Sequence, residues 1–509
     1  MPVTNITTDV WAQVYIGGSS TFNQEVSITS GSALISLGSP DPAGTVIASS
    51  SFDDKVLYVP AGTSVYARLN GGSLATVSVG TYGGGTAAGY ELFNQAAAAA
   101  GVAGVVPVYL GFVATGCHAP NNVVANNRSV KGYTYHFARD EISALQIEDA
   151  NWYANFAAGA PYEFGTGAAL VVRRWVEYPV GSNAWQQVTW SGAPSISIAD
   201  GANSGLSDNL VLATRIPRGA MFRLAYQIEH PNGAPTLNFP NQSYTSGGNA
   251  NVALLNRQWH GSTTAGAFSA ENPTAWAVSG SSIQSSYPPA AIVGTTTRPS
   301  IAFYGCSRDF GSGESTNDAG TTITTDGDTD HGQLCKTLGK HFAYGNYAMS
   351  GDKLQNFVTS GQGSKRAYYS KYASHIGCYD VTNDFTAGRT TAQMTVDMAS
   401  FQALFSGKKF IVPTVSPVTT STGDWITGTQ TTHANNAIRV DWNRLLRAGR
   451  IPGMQVVFDV AAIHESSLDS GIWGTWNSKA RTYDGTHNSY NGYQAGFQPS
   501  LIDPGRLFA

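Results

Sequence analysis

A few polar residues in the last two hundred positions have types and spacings that suit acyl transfer. Ser307 closely follows the apolar stretch SIAFYG, where a sharp turn after a strand would expose its hydroxyl. A serine hydroxyl is a poor nucleophile unless a base lies beside it. Asp484 and His487 are three residues apart, so the carboxylate can orient the imidazole and stabilise its charged form. We therefore predict Ser307 as nucleophile, His487 as base and Asp484 as the orienting group.

Acyl transfer also needs hydrogen-bond donors aimed at the developing oxyanion. Gly351, in YAMSGDKLQNF, lies between an expected strand and an expected helix, so its backbone N–H is one candidate donor. Asn383, in DVTNDF, adds a side-chain amide. Each residue alone also has an ordinary structural explanation, because serine, asparagine and glycine are common in turns and caps.

Other residues near these motifs are candidates for contacts with substrate. We predict that Arg308 and Asp309, beside the nucleophile, and Trp473 and Trp476, near the Asp484 motif, line the substrate site. Tryptophan faces stack on sugar rings, although Trp425 and these tryptophans could equally pack in the core or at its rim. Cys306 is an alternative nucleophile that we reject, because adjacent residues at a sharp turn point in different directions.

The loop TTDGDTDHG raises the question of a metal. Asp326, Asp328 and Asp330 alternate as in a calcium loop, but the glycine at the sixth position and the glutamate at the twelfth are missing. We expect Asp330 to cap a helix beginning at His331 instead. We predict no metal and no cofactor.

From about residue 299 onward, apolar strands alternate with segments of helical periodicity. The expected strands are SIAFYG, AYGNYAMS, SHIGCYDV, KKFIVPTVSP and MQVVFDV, and the expected helices are HGQLCKTLGKHF, TAQMTVDMASFQALFSG and HANNAIRVDWNRLLRAG. Such alternation predicts a parallel sheet with helices on both faces. Chemistry in these sheets collects at the C-terminal ends of the strands, where the candidate residues fall.

The rest of the chain has the turn-rich pattern of all-β structure. We predict a multidomain protein, with a small β-sandwich module at 1–90, a Gly/Ala-rich linker at 91–125, a jelly-roll-like β-sandwich at 126–298 and an α/β domain at 299–509. The apolar stretch 96–115 contains Pro107 and three glycines, so we expect no membrane span.

The composition limits the kinds of macromolecule that the chain is expected to bind. Only 12% of the 509 residues are charged and the net charge is −4 without a basic run, which argues against nucleic acid and favours a neutral polymer such as a carbohydrate. The four cysteines are far apart, as expected for buried thiols rather than a zinc site or a disulfide framework. The N-terminal sequence lacks the features of a secretory signal.

The motifs together resemble those of the SGNH (GDSL-type) hydrolases, whose blocks run GDSxTxG, a glycine block, GxND and DxxH. GCSRDFG (305–311), SGDKLQ with Gly351, VTND (381–384) and DGTH (484–487) match them in order. The resemblance implies a flavodoxin-like α/β esterase with an oxyanion hole formed by the Ser307 backbone, Gly351 and Asn383. Cys306, Asp309 and Val381 depart from the pattern. A competing alignment of GCYD (377–380) would put Tyr379 in place of the asparagine.

The segments GYTYHFARDEISALQIEDANWYA, VVRRWVEYP and SYPPAAIVGTTTRPSIAFYG resemble the β-rich leader of SGNH proteins from bacteria and their phages, so the likeness covers residues 126–509. Residues 1–90 match no family, but their pattern, with the charge-poor, Gly/Ser/Thr-rich composition and the missing secretory signal, resembles the attachment module of a phage virion protein. Together the two resemblances imply a virion-associated esterase that is made in the host cytoplasm, acts outside the cell and deacetylates a bacterial surface polysaccharide. Residues 1–90 would then bind other virion proteins. Homotrimers are common among tail fibres and spikes, but no coiled-coil heptads in this sequence favour one. The alternatives are a structural or receptor-binding virion protein with an impaired site, favoured by Cys306 and Val381, and a cellular carbohydrate esterase.

Overall fold

In the computed structural model, the chain forms two compact units, Met1–Val108 with Phe508–Ala509, and Tyr109–Leu507. The structure describes eight strands within 3–81 and residues 108–155, 163–230, 237–243, 258–262, 267, 273–276, 285–313, 332–359, 362–426, 428–496 and 502–508.

The first unit contains two four-stranded antiparallel sheets. Their orders are β1-β8-β3-β6 and β2-β7-β4-β5. The strands are β1 Val3–Ile6, β2 Ala12–Tyr15, β3 Gln24–Ser30, β4 Ser32–Leu37, β5 Thr45–Ala48, β6 Leu57–Val59, β7 Val65–Leu69 and β8 Ala75–Thr81. A β-sandwich in this region stays a prediction.

The second unit begins with β-structure. Its strands are β9 Tyr109–Phe112, β10 Cys117–His118, β11 Asn122–Asn127, β12 Ser129–Phe137, β13 Ile142–Ala150, β14 Trp152–Ala154, β15 Glu163–Gly165, β16 Leu170–Glu177, β17 Trp185–Gln187, β18 Ile196–Ile198, β19 Asn203–Leu206, β20 Leu210–Ile216, β21 Met221–Glu229, β22 Leu237–Ser243, β23 Gln258–Ser262, β24 Ser285–Ser286 and β25 Ala291–Thr296. The two largest antiparallel sheets have the orders β17-β16-β21-β12-β23 and β19-β13-β25-β9. A jelly roll stays a prediction.

The predicted linker at 91–125 needs a correction. Residues 91–107 lie outside the described part of the chain, but the remainder forms β9, β10 and the start of β11. Phe112 and Cys117 in this segment are buried, with at most 1% of their surface exposed. The segment is ordered because it pairs with strands from both later regions, β9 with β25 and β10 with β27 (Ala343–Asn346).

Strands and helices alternate in the remainder of the unit. The strands are β26 Ser300–Phe303, β27 Ala343–Asn346, β28 His375–Gly377, β29 Lys409–Pro413, β30 Thr419–Ser421, β31 Gln430–Thr432, β32 Met454–Phe458, β33 Thr475–Trp476 and β34 Lys479–Ala480. The helices are α1 Ser307–Phe310, α2 Cys335–Leu338, α3 Leu354–Val358, α4 Ser364–Ala367, α5 Thr382–Thr386, α6 Thr391–Ala403, α7 Asn436–Arg447, α8 Val460–His464 and α9 Tyr490–Gly496. Short 3-10 helices span Pro273–Ala275, Tyr368–Tyr372 and Pro504–Phe508.

The predicted parallel sheet is confirmed. Its order is β10-β27-β26-β28-β29-β32, and every neighbouring pair is parallel. Without β10, the five strands β26, β27, β28, β29 and β32, numbered 1 to 5 along the chain, have the spatial order 2-1-3-4-5 of a flavodoxin-like sheet. The central strand β26 is flanked on both sides, with Ala302 opposite Gly345 and Ile376. The strand β10 extends this sheet by one edge strand from far upstream.

The long helix α6 forms where the sequence carries a capping signal and a helical pattern of apolar residues. Thr390 caps α6, because its hydroxyl accepts from the backbone N–H of Gln393, whose side chain accepts in turn from the Thr390 N–H. The buried positions of α6 are Met394, Met398 and Phe401 (with Asp397), spacings that place them on one face. The helix expected over 331–342 is shorter, with α2 covering a single turn.

One hydrophobic core runs through both parts of the second unit. Phe112 and Ile292 from the upstream strands share a single buried cluster with Tyr347 and Val412 from the parallel-sheet region. Across the same boundary, the buried Tyr372 hydroxyl donates to Glu148 at 2.6 Å. The predicted border at 298/299 is therefore not a break in packing.

Two further sequence-based expectations concern the cysteines and membrane-spanning helices. All four cysteines are buried thiols, as expected. None of the helices in the described ranges is long and apolar enough to cross a membrane.

Candidate active site

The structure brings Ser307, His487 and Asp484 together in one chain of hydrogen bonds. Ser307 begins α1, four residues after β26 ends, and its Oγ lies 2.8 Å from His487 Nε2. His487 Nδ1 lies 2.7 Å from Asp484 Oδ2. Ser307 is 6% exposed, whereas the side chain of His487 is 22% exposed, so the pair lies at the surface of the sheet edge. This arrangement lets the serine proton pass to the imidazole.

The Asp484 carboxylate is held by the loop that carries it. Its Oδ1 accepts from the backbone N–H groups of Thr486 and His487 at 2.8 and 2.7 Å. Burial raises the pKa of Asp484, but the bonds and charge of His487 and the backbone N–H groups outweigh it, so its pKa is lowered. An ionised Asp484 accepts the Nδ1 proton of His487, which leaves Nε2 as the acceptor for the Ser307 hydroxyl.

Local backbone geometry explains why the serine can be presented at this turn. Cys306 is extended, with φ −95° and ψ −159°, and its N–H donates to the Asp309 carboxylate at 3.1 Å. Gly311 closes the short helix with φ 96°. A Cβ on Gly305 would lie within 2 Å of the Asp309 carboxylate, so the close approach requires glycine. The first N–H groups of a helix have no intrahelical partner, which leaves that of Ser307 available to an oxyanion.

The other two predicted oxyanion donors lie on neighbouring turns. Met349 N–H donates to Gly305 O at 3.0 Å, so the chain leading to Gly351 runs beside the one leading to Ser307. Gly351 has φ 83° at the turn, and the amide Nδ2 of Asn383 donates to Asp352 O at 2.8 Å. The amide of Asn383 is thereby fixed against the Asp352–Lys353 peptide, one residue after Gly351.

Buried side chains stabilise the turn that contains Gly351 and Asp352. The Asp352 carboxylate accepts from Arg366 at 2.8 Å and from the Tyr379 hydroxyl at 2.6 Å. Asp384 accepts from the backbone N–H groups of Leu354 and Gln355 at the start of α3. Burial raises the pKa of Asp384 to about 6, although these two bonds lower it. The competing alignment would place Tyr379 at the asparagine position, but Tyr379 is fully buried among these supporting groups.

The prediction that Arg308 and Asp309 contact substrate is wrong. Arg308 is 0% exposed and Asp309 is 6% exposed. The Asp309 carboxylate accepts from the N–H groups of Cys306 and Asp380, and burial together with the Asp380 charge raises its pKa. Both side chains turn inward because each satisfies backbone groups that would otherwise be buried without partners.

Arg308 instead connects the segments that carry the site. Its Nε donates to Thr486 O at 2.7 Å, beside His487. Its other two nitrogens donate to Thr382 Oγ1, to Ser416 O and Pro417 O, and to Asp380 at 3.3 Å. The guanidinium is the planar, five-donor group that such a set of acceptors requires.

The tryptophans have mixed positions. Trp473 is 2% exposed, its Nε1 donates to Gly485 O at 2.9 Å, and its ring lies against the Arg308 guanidinium. Trp473 therefore supports the Asp484–His487 loop, a structural role that the sequence did not predict, and its contact with substrate stays a prediction. Trp476 is half-buried in β33, and the ring of Trp425 packs against Gly485.

Sequence reasoning missed Tyr483. Its ring stacks on the His487 ring with centroids 6.1 Å apart, and it immediately precedes Asp484 in the chain. Burial and the Asp484 charge raise the pKa of Tyr483, so it remains a neutral donor. An aromatic residue immediately before the aspartate of the DxxH motif was the available signal.

The departures from the SGNH pattern leave the geometry intact. The Cys306 thiol is fully buried, and burial and the charges of Asp309 and Asp380 raise its pKa, so it is no thiolate nucleophile. Val381 has φ −77°, which any residue can adopt, so the missing glycine causes no backbone strain.

Metal binding has little basis in the described ranges. There, no group of three histidine, cysteine or acidic residues is arranged to hold an ion. Asp326, Asp328 and Asp330 lie outside the described residues.

No family model and no curated protein matches the chain. Solved structures that are similar to it include several esterase-type hydrolases. One is an aryl esterase of M. smegmatis, which is 15% identical, covers 42% of this chain and 100% of its own, and has a TM-score of 0.29. Another is a carbohydrate acetylesterase from Sinorhizobium meliloti, which is 12% identical, covers 42% of this chain and 100% of its own, and has a TM-score of 0.27. A member of the lipolytic G-D-S-L family from Veillonella parvula is also similar; it is 13% identical, covers 40% of this chain and 97% of its own, and has a TM-score of 0.27. At these identities and TM-scores, the likenesses do not decide the chemistry of this chain.

Proposed function

We propose that the chain is a serine ester hydrolase of SGNH type. The observation that carries the proposal is the hydrogen-bond chain from Ser307 Oγ through His487 to Asp484, with distances of 2.8 and 2.7 Å. Nucleophile, base and orienting group stand in hydrogen-bond reach of one another, as acyl transfer requires.

The mechanism follows from this geometry. Ser307 Oγ attacks the ester carbonyl while its proton moves to His487 Nε2, and the Asp484 carboxylate stabilises the imidazolium. The N–H groups of Ser307 and Gly351 and the amide of Asn383 would receive the oxyanion. Collapse of the tetrahedral intermediate expels the alcohol, which takes the proton from His487. Water, activated by the same imidazole, then releases the acid and restores Ser307.

The proposed substrate is an acyl ester, such as an acetate, on a bacterial surface polysaccharide. Partial exposure of His487 and Asp484 supports a site open to a large substrate, since their side chains are 22% and 35% exposed. The low charge of the chain suits a polar, weakly charged polymer better than nucleic acid.

The proposed setting is a phage virion. Its support is the resemblance of residues 1–90 to a virion attachment module and of residues 126–509 to SGNH proteins of bacteria and their phages. The separate unit formed by Met1–Val108 with Phe508–Ala509, which contains two antiparallel sheets, adds to this support. Mass spectrometry of density-purified particles would detect the chain alongside capsid or tail proteins. Its absence from such particles would leave a cellular carbohydrate esterase.

Loss of the nucleophile tests the chemistry. We expect wild type to hydrolyse p-nitrophenyl acetate and then an acetylated polysaccharide, and Ser307→Ala to lose several orders of magnitude in kcat. Ser312→Ala is the matched control, because the Ser312 hydroxyl is buried and has no hydrogen-bond partner among the residues that the structure describes. It should retain wild-type rates.

The opposite result would identify the alternative. If wild type and Ser307→Ala are equally inactive on several esters while both bind the glycan, the region is a binding module and the esterase proposal fails.

A further inference from the structure

A cavity of about 370 Å³ opens beside the loop that carries Asp484 and His487. Its lining includes Ile426, Glu465, Ile472, Trp473, Thr475 and Arg481. The hydrogen bond from Trp473 Nε1 to Gly485 O makes this tryptophan a common wall of the cavity and the loop. Arg481 itself precedes Asp484 by three residues, so the cavity and the ester site share one segment.

The Arg481 side chain lacks a partner. Its Nε is buried without a hydrogen bond, and no hydrogen bond or ion pair of its guanidinium occurs in the described part of the chain. Burial alone lowers the pKa of Arg481, with no carboxylate opposing it. By contrast, the fully buried Arg308, Arg366 and Arg439 each contact a carboxylate. A half-buried cation without a counter-charge is costly unless a ligand supplies one.

Glu465 does not fill that role. Its Oε1 accepts from Arg439 at 2.6 Å and from Gly471 N–H at 3.0 Å, and its Oε2 accepts from Asp469 N–H at 3.1 Å. Since Arg439 neutralises Glu465, the charge of Arg481 remains uncompensated in the cavity.

The remaining walls suit a sugar. Ile426, which is 47% exposed, and the half-buried Ile472 offer apolar surface for the face of a pyranose, and Thr475 offers a hydroxyl. The volume falls in the range of about 300–1,000 Å³ that small-molecule sites occupy. A guanidinium matches the two oxygens of a carboxylate with paired hydrogen bonds.

We propose that this cavity is a subsite in which Arg481 binds the carboxylate of an acidic sugar, next to the residue whose ester is cleaved. The inference rests on the proposed function and deepens it, because it makes the substrate an acylated, uronic-acid-containing polysaccharide rather than the neutral polymer expected from the net charge.

Calorimetry on full-length Ser307→Ala protein tests the subsite without turnover. The probes are methyl glucuronide, methyl glucoside, which lacks only the carboxylate, and inorganic phosphate. We expect the glucuronide to bind at least about tenfold more tightly than the glucoside, and added salt to weaken that preference. In the same background, Arg481→Gln should abolish the preference. Lys479→Gln, which removes an exposed positive charge two residues away, should preserve it.

Two comparisons of affinity, and a third with phosphate, could each overturn the inference. One is equal binding of glucuronide and glucoside to protein with Arg481 intact, a comparison that holds even if Arg481→Gln fails to fold. The other is equal loss of affinity in Arg481→Gln and Lys479→Gln, which would reveal a general charge effect. Phosphate binding as tight as glucuronide binding would reject the sugar acid. Because these readouts need no hydrolysis, inactivity toward esters would refute the proposed function and leave the subsite standing.

Discussion

Replacement of Arg308 by lysine separates the geometry of the guanidinium from its charge. Arg308 donates to five acceptors, namely Thr486 O, Thr382 Oγ1, Ser416 O, Pro417 O and Asp380 Oδ2. A lysine ammonium has three N–H donors, so at least two of these acceptors lose the hydrogen bond that Arg308 gives them. At about 1–3 kcal/mol for each unsatisfied group, the free energy of unfolding should fall by about 3 kcal/mol.

The same change should reduce activity. The Nε of Arg308 fixes the carbonyl of Thr486, the residue before His487, and a displacement of a catalytic group by about 1 Å costs on the order of 10²-fold in rate. We therefore expect kcat/KM of Arg308→Lys on p-nitrophenyl acetate to fall by about that factor.

The assay is equilibrium urea unfolding followed both by tryptophan fluorescence and by residual hydrolysis, which reports on the unit that contains the site. Arg444→Lys is the matched control, because the Arg444 side chain is 63% exposed and its pair with Asp469 should contribute less than about 1 kcal/mol. If Arg308→Lys behaves like Arg444→Lys in both readouts, Arg308 does not hold the loop and the reasoning is refuted.

Two further predictions concern other parts of the site. Because the pKa of Asp384 in the folded chain is raised to about 6, its contribution to stability is complete below about pH 4 and is lost as pH rises through 6. Asp384→Asn should therefore remove about 2–3 kcal/mol of the fall in unfolding free energy between pH 4 and 7, measured by urea titrations at each pH. Gly485→Ala should destabilise the catalytic loop by more than about 2 kcal/mol and reduce hydrolysis, since Gly485 has φ 80° and a Cβ would meet Thr419 O at 2.2 Å. Thermal melting and initial rates measure both effects, with Gly428→Ala as the control, because a Cβ there meets nothing within 4 Å.

Each of these has a clear contrary result. An unchanged pH dependence in Asp384→Asn would mean that another group titrates in this range. Equal melting temperatures for Gly485→Ala and Gly428→Ala would show that the loop tolerates a side chain at its tightest turn.

The parallel sheet was predictable because its signals are local. Apolar runs such as SIAFYG and MQVVFDV, each followed by a helical segment, specify strand and helix without knowledge of the rest of the chain. Candidate residues after strand ends, such as Ser307, could likewise be located because strand ends meet at one edge of a parallel sheet.

The features that could not be predicted, such as β10 and the burial of Arg308, depend on contacts between segments far apart in the sequence. The strand β10 has two residues, too few for any periodicity, and its partners Gly345 and Asn346 lie more than 200 positions away. Arg308 was assigned to substrate because it adjoins the nucleophile, yet its acceptors come from segments near residues 380, 416 and 486. Burial of that kind has no signature along the chain.

The edge strand β10 also bears on how such a protein can evolve. A gene fragment that began at the 298/299 boundary would encode Ser307, Asn383, Asp484 and His487, but it would lack Cys117–His118, leave the edge of β27 open and expose the core face that Phe112 covers. Recombination at that point would yield an aggregating chain. The region that carries the proposed ester site can therefore be inherited or exchanged as a folded part only together with the sequence from about Tyr109 onward.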